Sequence, residues 1–210
     1  MSVRINRNRP LLALLAIEAL SSDSRRAILG QLLRVKEGLP ASVLAKSLGL
    51  TLPTILSHLD KLVASGLVKV VPSKRGGKPV KLYRAAGRRL VLEVDLSTLA
   101  AIPPRERLQG TLAEVVGKLR ERGRLPERLD PYTAQEVLGL ETEEALVVAD
   151  YYNMSRDTIV EMLVEEALEA FKGRDEVELG EIEEALKLTT YWAVKVANRL
   201  EELGIVSVKY

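Results

Sequence analysis

An ordered change of apolar period between Asp23 and Arg84 constrains this chain more than any other feature. From Asp23 to Val35, the residues Ala27, Ile28, Leu32, Leu33 and Val35 recur at helical spacing behind a Ser22/Asp23 cap, and Gly38 stops the run. A second short helix is expected in PASVLAKSL, ending at Gly49. A third is expected from about Leu52 to Ser65, with Thr51 as N-cap, Pro53 in the first turn and Gly66 beyond its end. The period then falls to two. LVKVV (67–71) and VKLYR (80–84) read as strands on either side of the cationic, turn-forming segment PSKRGGKP. A further alternating run, LVLEVDL (90–96), reads as a third strand or a bridge.

Helix, helix, turn, helix and a basic-tipped hairpin is the order of a winged helix-turn-helix. In the third helix Thr54, Ser57, His58 and Lys61 stand at i, i+3, i+4 and i+7, opposite Ile55, Leu59 and Leu62. Short hydroxyl and imidazole groups there reach base edges, and a cation further along reaches phosphate. A merely solvated helix face has the same pattern; the turn before it and the hairpin after it favour DNA. The hairpin carries Lys74, Arg75 and Lys78 at its tip, with Lys69, Lys81 and Arg84 on its flanks. Cations spaced along a ribbon suit a groove or a phosphate track. RGGK is not a phosphate loop, because G-x-x-x-x-G-K-[ST] is absent. Arg4, Arg7 and Arg9 read either as an arm on the DNA backbone or as nothing ordered.

The segment TLPTILSHLDKLVASGLVKVVPSKRGGKPVKLYR resembles the recognition helix and wing of ArsR-like winged-helix regulators, whose helix reads approximately S-Q-P-T-V-S-H-H-L-K-x-L before x-x-x-G-L-V. Thr51, Pro53, Thr54, His58, Leu59, Leu62 and Gly66-Leu67-Val68 stand in register with it, and the match covers roughly residues 22–86. The resemblance implies a dimer with Thr51, Thr54, Ser57 and His58 near bases and the wing near phosphates. Leu52 and Leu56 depart from it, replacing polar positions. The helix SVLAKSL (42–48) lacks the paired cysteines of metal-sensing members, which excludes metal regulation through that site. The long C-terminal extension resembles two-domain archaeal regulators.

A net charge of +2 hides a strong asymmetry. Residues 1–130 carry 24 Lys and Arg against 11 Asp and Glu; residues 131–210 carry 7 against 18. The basic part suits a polyanion and the acidic part a different partner. With one His and no Cys, the common nucleophile–base pairs, disulfides and thiolate metal sites are not available, and the expectation is no enzyme and no cofactor. The acidic residues of ELGEIEEAL read as a solvated helix face rather than a cation site. Asn and Gln number four and three while Arg is plentiful, a composition expected of a thermophile. The opening MSVRINRNRPLLALLAIEALSS imitates a signal peptide, but Glu18 breaks the apolar run and no A-x-A site follows. Pro10 to Leu20 is read as an amphipathic first helix, and the protein as cytoplasmic, without a membrane segment.

Pro103-Pro104 marks a break. Leu108, Leu112, Val115, Val116 and Leu119 then form one helical stripe, read as a connecting helix over 105–122 that pairs with a partner helix or packs on its own domains. Helical patterns follow in 141–153 and 155–172. An internal repeat then aligns 177–208 with 39–70 at an offset of 138. It pairs Leu186 with Leu48, Leu188 with Leu50, Leu200 with Leu62, Gly204 with Gly66, Val206 with Val68 and Val208 with Val70. Apolar pairs such as Ile182/Leu44, Val194/Leu56 and Ile205/Leu67 fall on the core positions such a unit needs. The alternative is a generic helical bundle ending in a short strand.

The expected architecture is mainly α with small β-wings. It comprises a basic winged helix-turn-helix over 1–100, a connecting helix or linker over 101–130, and an acidic helical domain over 131–210 with a second, wing-truncated helix-turn-helix. The expected function is sequence-specific transcriptional regulation by a homodimer on double-stranded DNA, with the acidic domain serving dimerisation, a protein partner or an effector. The alternative is a structural tandem winged-helix protein docking on a chromosome or transcription assembly.

Overall fold

A computed structural model describes residues 2–75 and 78–209, with the side chains of Arg75, Lys78, Arg105, Glu106 and Gln109 left aside. The chain divides into two units, Met1–Ala100 and Ala101–Tyr210. Each is built around its own apolar core, and the described residues are mostly helical with small sheets. No described helix is long and apolar enough to cross a membrane.

In the first unit β1 (Ser2–Ile5) leads to α1 (Pro10–Ser21), α2 (Asp23–Arg34), α3 (Ala41–Leu48) and α4 (Leu52–Ala64). The antiparallel hairpin of β2 (Val68–Arg75) and β3 (Lys78–Ala85) follows, then β4 (Arg89–Leu92) and a short α5 (Leu96–Ala100). Local chemistry sets the ends of α4. The Thr51 hydroxyl accepts the Thr54 N–H at 3.4 Å, a cap worth about 1 kcal/mol, and a proline stands in the first turn. Ile55, Leu59 and Leu62 are fully buried against Ile28 and Leu32 of α2, Leu44 of α3, and Val68 and Tyr83 of the hairpin. Leu39 exchanges both backbone hydrogen bonds with Tyr83 at 2.9 Å, so the hairpin is tied to the chain just before α3.

β4 does not extend the hairpin. It pairs in parallel with β1, Ser2 opposite Arg89 through Ile5 opposite Leu92. Val3, Ile5, Leu90 and Leu92 face Ala13 and Ala16 of α1 and close a second small core. Alternation identifies this strand, but the apolar face of α1 selects its partner. Arg4 therefore stands on an ordered strand rather than on a free arm.

The second unit runs α6 (Arg105–Arg122), α7 (Pro131–Leu138), α8 (Thr142–Met154), α9 (Arg156–Ala170), β5 (Glu176–Glu178), α10 (Leu179–Ala185), α11 (Thr190–Glu202) and β6 (Ser207–Lys209). The expectation of 105–122 as a connector is corrected. Leu112, Val115, Val116 and Leu119 are buried in the core of this unit, packed with residues of α8, α9 and α11. That stripe is spent within the chain and is not open to a partner helix.

The repeat holds in the backbone. Leu50 N–H bonds Ala45 O at 3.1 Å and Leu188 N–H bonds Glu183 O at 2.8 Å; Leu67 N–H bonds Leu62 O at 3.1 Å and Ile205 N–H bonds Leu200 O at 3.3 Å. All four atoms of each pair stand 138 residues apart. Gly49 has φ +65° in the turn, and its counterpart Lys187, at +51°, is the one non-glycine among the described residues with positive φ. Where the first copy has a return strand between the segment before α3 and β2, the second has none among the described residues. Val177 instead pairs directly with Val208, in parallel.

Candidate nucleic-acid interface

On α4 the 3.6-residue period, with Ile55, Leu59 and Leu62 inward, turns Pro53, Ser57 and Lys61 outward. Thr51 and Pro53 are exposed at the start of the helix. Thr54 and His58 lie on one flank and are half-buried. The Thr54 hydroxyl is already bonded to that of Thr51 at 2.8 Å. His58 Nδ1 is buried without a hydrogen-bond partner, and burial, then the charges of Arg25 and Lys61, hold the imidazole below its ordinary value of 6.5. Arg25 is fixed there because its guanidinium donates to the Ala19 and Glu18 carbonyls at 2.8 and 2.6 Å, capping α1. The other flank carries Leu52 and Leu56, 45% and 37% exposed. Reading the helix only for polar residues misses these two; projecting all thirteen residues at 100° per residue would have found them.

The hairpin register separates its cations. Lys69 is opposite Arg84 on one face, with Val71 and Leu82; Lys81 is opposite Pro72 and Lys74 opposite Pro79 on the other, with Val68 and Tyr83. Only the second face packs in the α4 core at its base. Lys74 and Lys81 therefore project on the side of α4, and Arg84 on the side away from it. Arg75 and Lys78 pair at the tip, and their side chains lie outside those described, as do residues Gly76 and Gly77.

The charges in the two units are disposed differently. The first unit has 17 Lys and Arg against 6 Asp and Glu; the second has 14 against 23. Among the described residues, Lys61, Lys69, Lys74, Lys81 and Arg84 are exposed and make no ion pair. In the second unit Arg120 pairs with Glu166, Arg122 with Glu136, Arg124 with Glu183 and Glu184, Arg174 with Glu181, and Arg199 with Glu161 and Glu202. Unpaired cations on an exposed helix and ribbon form a surface suited to phosphates.

Residues 20–71 match a family model described as a helix-turn-helix domain. The first unit contains a helix-turn-helix domain. No curated protein matches the chain. The matched span runs from the end of α1 through α2, α3 and α4 into β2, so it includes the exposed helix and the first wing strand.

In the segment of the second unit that stands 138 residues on, the flank of α11 matching Thr54 and His58 is closed, while Thr190, Lys195 and Asn198 stay exposed. Trp192 and Val196 of α11 stand where α4 has Thr54 and His58, and both are fully buried. Trp192 Nε1 donates to Pro126 O at 2.8 Å, and the Tyr152 hydroxyl donates to the same oxygen at 2.6 Å. Leu125 N–H bonds Lys187 O at 3.0 Å, and Thr189, the counterpart of Thr51, donates its hydroxyl to Leu125 O at 3.0 Å. The chain's own Leu125-Pro126 segment thus covers the helix start that Thr51 and Pro53 leave open in the first copy. The signal was present at the offset of 138, where the polar pair Thr54/His58 becomes the apolar pair Trp192/Val196.

Proposed function

We propose that this chain is a non-catalytic, sequence-specific DNA-binding regulator of transcription, acting in the cytoplasm as a homodimer through its first unit. One observation supports the reading: the helix-turn-helix arrangement is built twice, and the flank of α4 that carries Thr54 and His58 stays partly open where its counterpart on α11, Trp192 and Val196, is fully buried. α4 enters the major groove with Ser57 at its centre, and Lys61, Lys74 and Lys81 neutralise phosphates. The ArsR-like assignment rests on the register of Thr51, Pro53, Thr54 and His58 with that family's helix. With the 108–119 stripe buried, the seam for dimerisation is α1, where Ile17 is 45% exposed and Leu14 and Leu15 are half-buried. The acidic second unit is left for a protein partner or an effector.

The test is binding of the full protein to random duplex DNA by fluorescence anisotropy across a salt series. The expected log–log slope is about −0.9 per phosphate neutralised. A flat salt response would favour a protein-docking module instead. Light scattering with Ile17→Glu checks the dimer, which that change should dissociate.

A further inference from the structure

Leu52 and Leu56 lie one turn apart on the exposed start of α4, beside Pro53 and Ser57, and they remain 45% and 37% exposed. Neither belongs to the core beneath the helix, although that core takes Ile55 and Leu59 from the same turns. In a major groove this position meets base edges. Leucine offers those edges no donor or acceptor, and five of the six kinds of group there (N7, O6, O4, the N4 and N6 amines and the C5-methyl) are polar. The exception is the C5-methyl of thymine. A leucine pressed on a guanine or cytosine edge strips water from polar atoms and returns no hydrogen bond. Pressed on a thymine methyl, it removes apolar surface from water on both sides.

We infer that Leu52 and Leu56 are specificity-determining residues that select thymine C5-methyl groups in the DNA site, with Ser57 supplying the neighbouring polar contact. This rests on the DNA-binding reading above. The occupant is duplex DNA because Lys61 is exposed without an ion pair on the outward face of the same helix, and Lys74 and Lys81 are exposed without ion pairs on the hairpin that follows it. Discrimination here is largely apolar. The family pattern it departs from reads those two positions with polar groups.

The experiment uses the full protein and the duplex it prefers from a random pool. Thymines in that duplex are replaced by deoxyuridine, which removes the methyl and leaves charge and base pairing intact. The expected result is a loss of affinity of about fourfold per contacted methyl. Leu52→Ala with Leu56→Ala should abolish the difference between the two duplexes while the salt slope of binding, which phosphate contacts set, and the melting temperature stay unchanged. Equal affinity of the wild-type protein for thymine and deoxyuridine duplexes overturns the inference. So does a selected site without thymines, a double variant that still discriminates, or a double variant changed only in oligomeric state. Failure of the wild-type protein to bind any duplex at low salt overturns the DNA-binding reading itself, and this inference with it.

Discussion

Lys61 of α4 and Arg199 of α11 occupy the same position of the two helix-turn-helix copies, but Lys61 is exposed without an ion pair while Arg199 is clamped between Glu161 and Glu202. The Arg199 contacts are 2.9 and 3.1 Å, so its charge is already met by two carboxylates of its own unit. The same helix arrangement therefore leaves one cation exposed and ties its counterpart to two carboxylates. The difference follows from what surrounds each helix.

Lys61→Ala should weaken binding to all duplexes alike and lower the salt slope by about one unit. Arg199→Ala should leave both unchanged, because its charge is already neutralised within its own unit. Parallel salt titrations of the two variants check this, and equal effects would contradict the assignment of the open copy.

Trp192→Ala should cost about 3–5 kcal/mol of stability, since it empties the centre of the second core and leaves Pro126 O with one donor instead of two. Chemical denaturation measures the loss. The affinity of the protein that remains folded for DNA should not change.

Wing variants should separate by face. Lys74→Ala and Lys81→Ala, on the α4 side, should each lower the salt slope by about one unit, and Arg84→Ala, on the far face, should do less. An Arg84 effect larger than both would place the duplex against the opposite side of the ribbon.

The chain has a single His, so its imidazole is directly visible by NMR. Burial, Arg25 and Lys61 lower its pKa in the folded state, so the folded protein binds its proton less readily than the unfolded chain. The sign follows: stability is unaffected above pH 6.5 and falls as pH drops through that value toward the lowered folded pKa. The free protein should titrate below 6.5, and duplex DNA should move the midpoint upward because phosphates favour the imidazolium. His58→Gln should remove the acid-side loss.

Lys187 at φ +51° carries a side chain where Gly49 has none. A non-glycine residue in this conformation costs about 1–2 kcal/mol, partly offset by the chain entropy a glycine loses on folding. Lys187→Gly should raise stability by up to about 1 kcal/mol, and Gly49→Lys should lower it by about 1–2 kcal/mol. Thermal melts of both variants check the pair.

Much of the fold was legible in the residues themselves. Pro10, Thr51 with Pro53, and the stops at Gly38 and Gly49 bound helices by local chemistry, and the structure has those helices at Pro10–Ser21, Asp23–Arg34, Ala41–Leu48 and Leu52–Ala64. The hairpin and the repeat at 138 are equally local, since alternation and turn residues act on neighbours along the chain. What alternation and helical period cannot say is which surface covers an apolar face. Only the tertiary structure decided that β4 pairs with β1, that the 108–119 stripe is used up inside the second unit, and that Leu125-Pro126 covers the start of α11. The same limit applies at the site. Polar spacing picked out Thr54, Ser57, His58 and Lys61, but packing against the rest of the unit half-buries Thr54 and His58 while Ser57 and Lys61, with Leu52 and Leu56 on the other flank, stay exposed. Residue type sets what a face would bind, and long-range packing sets which face remains open.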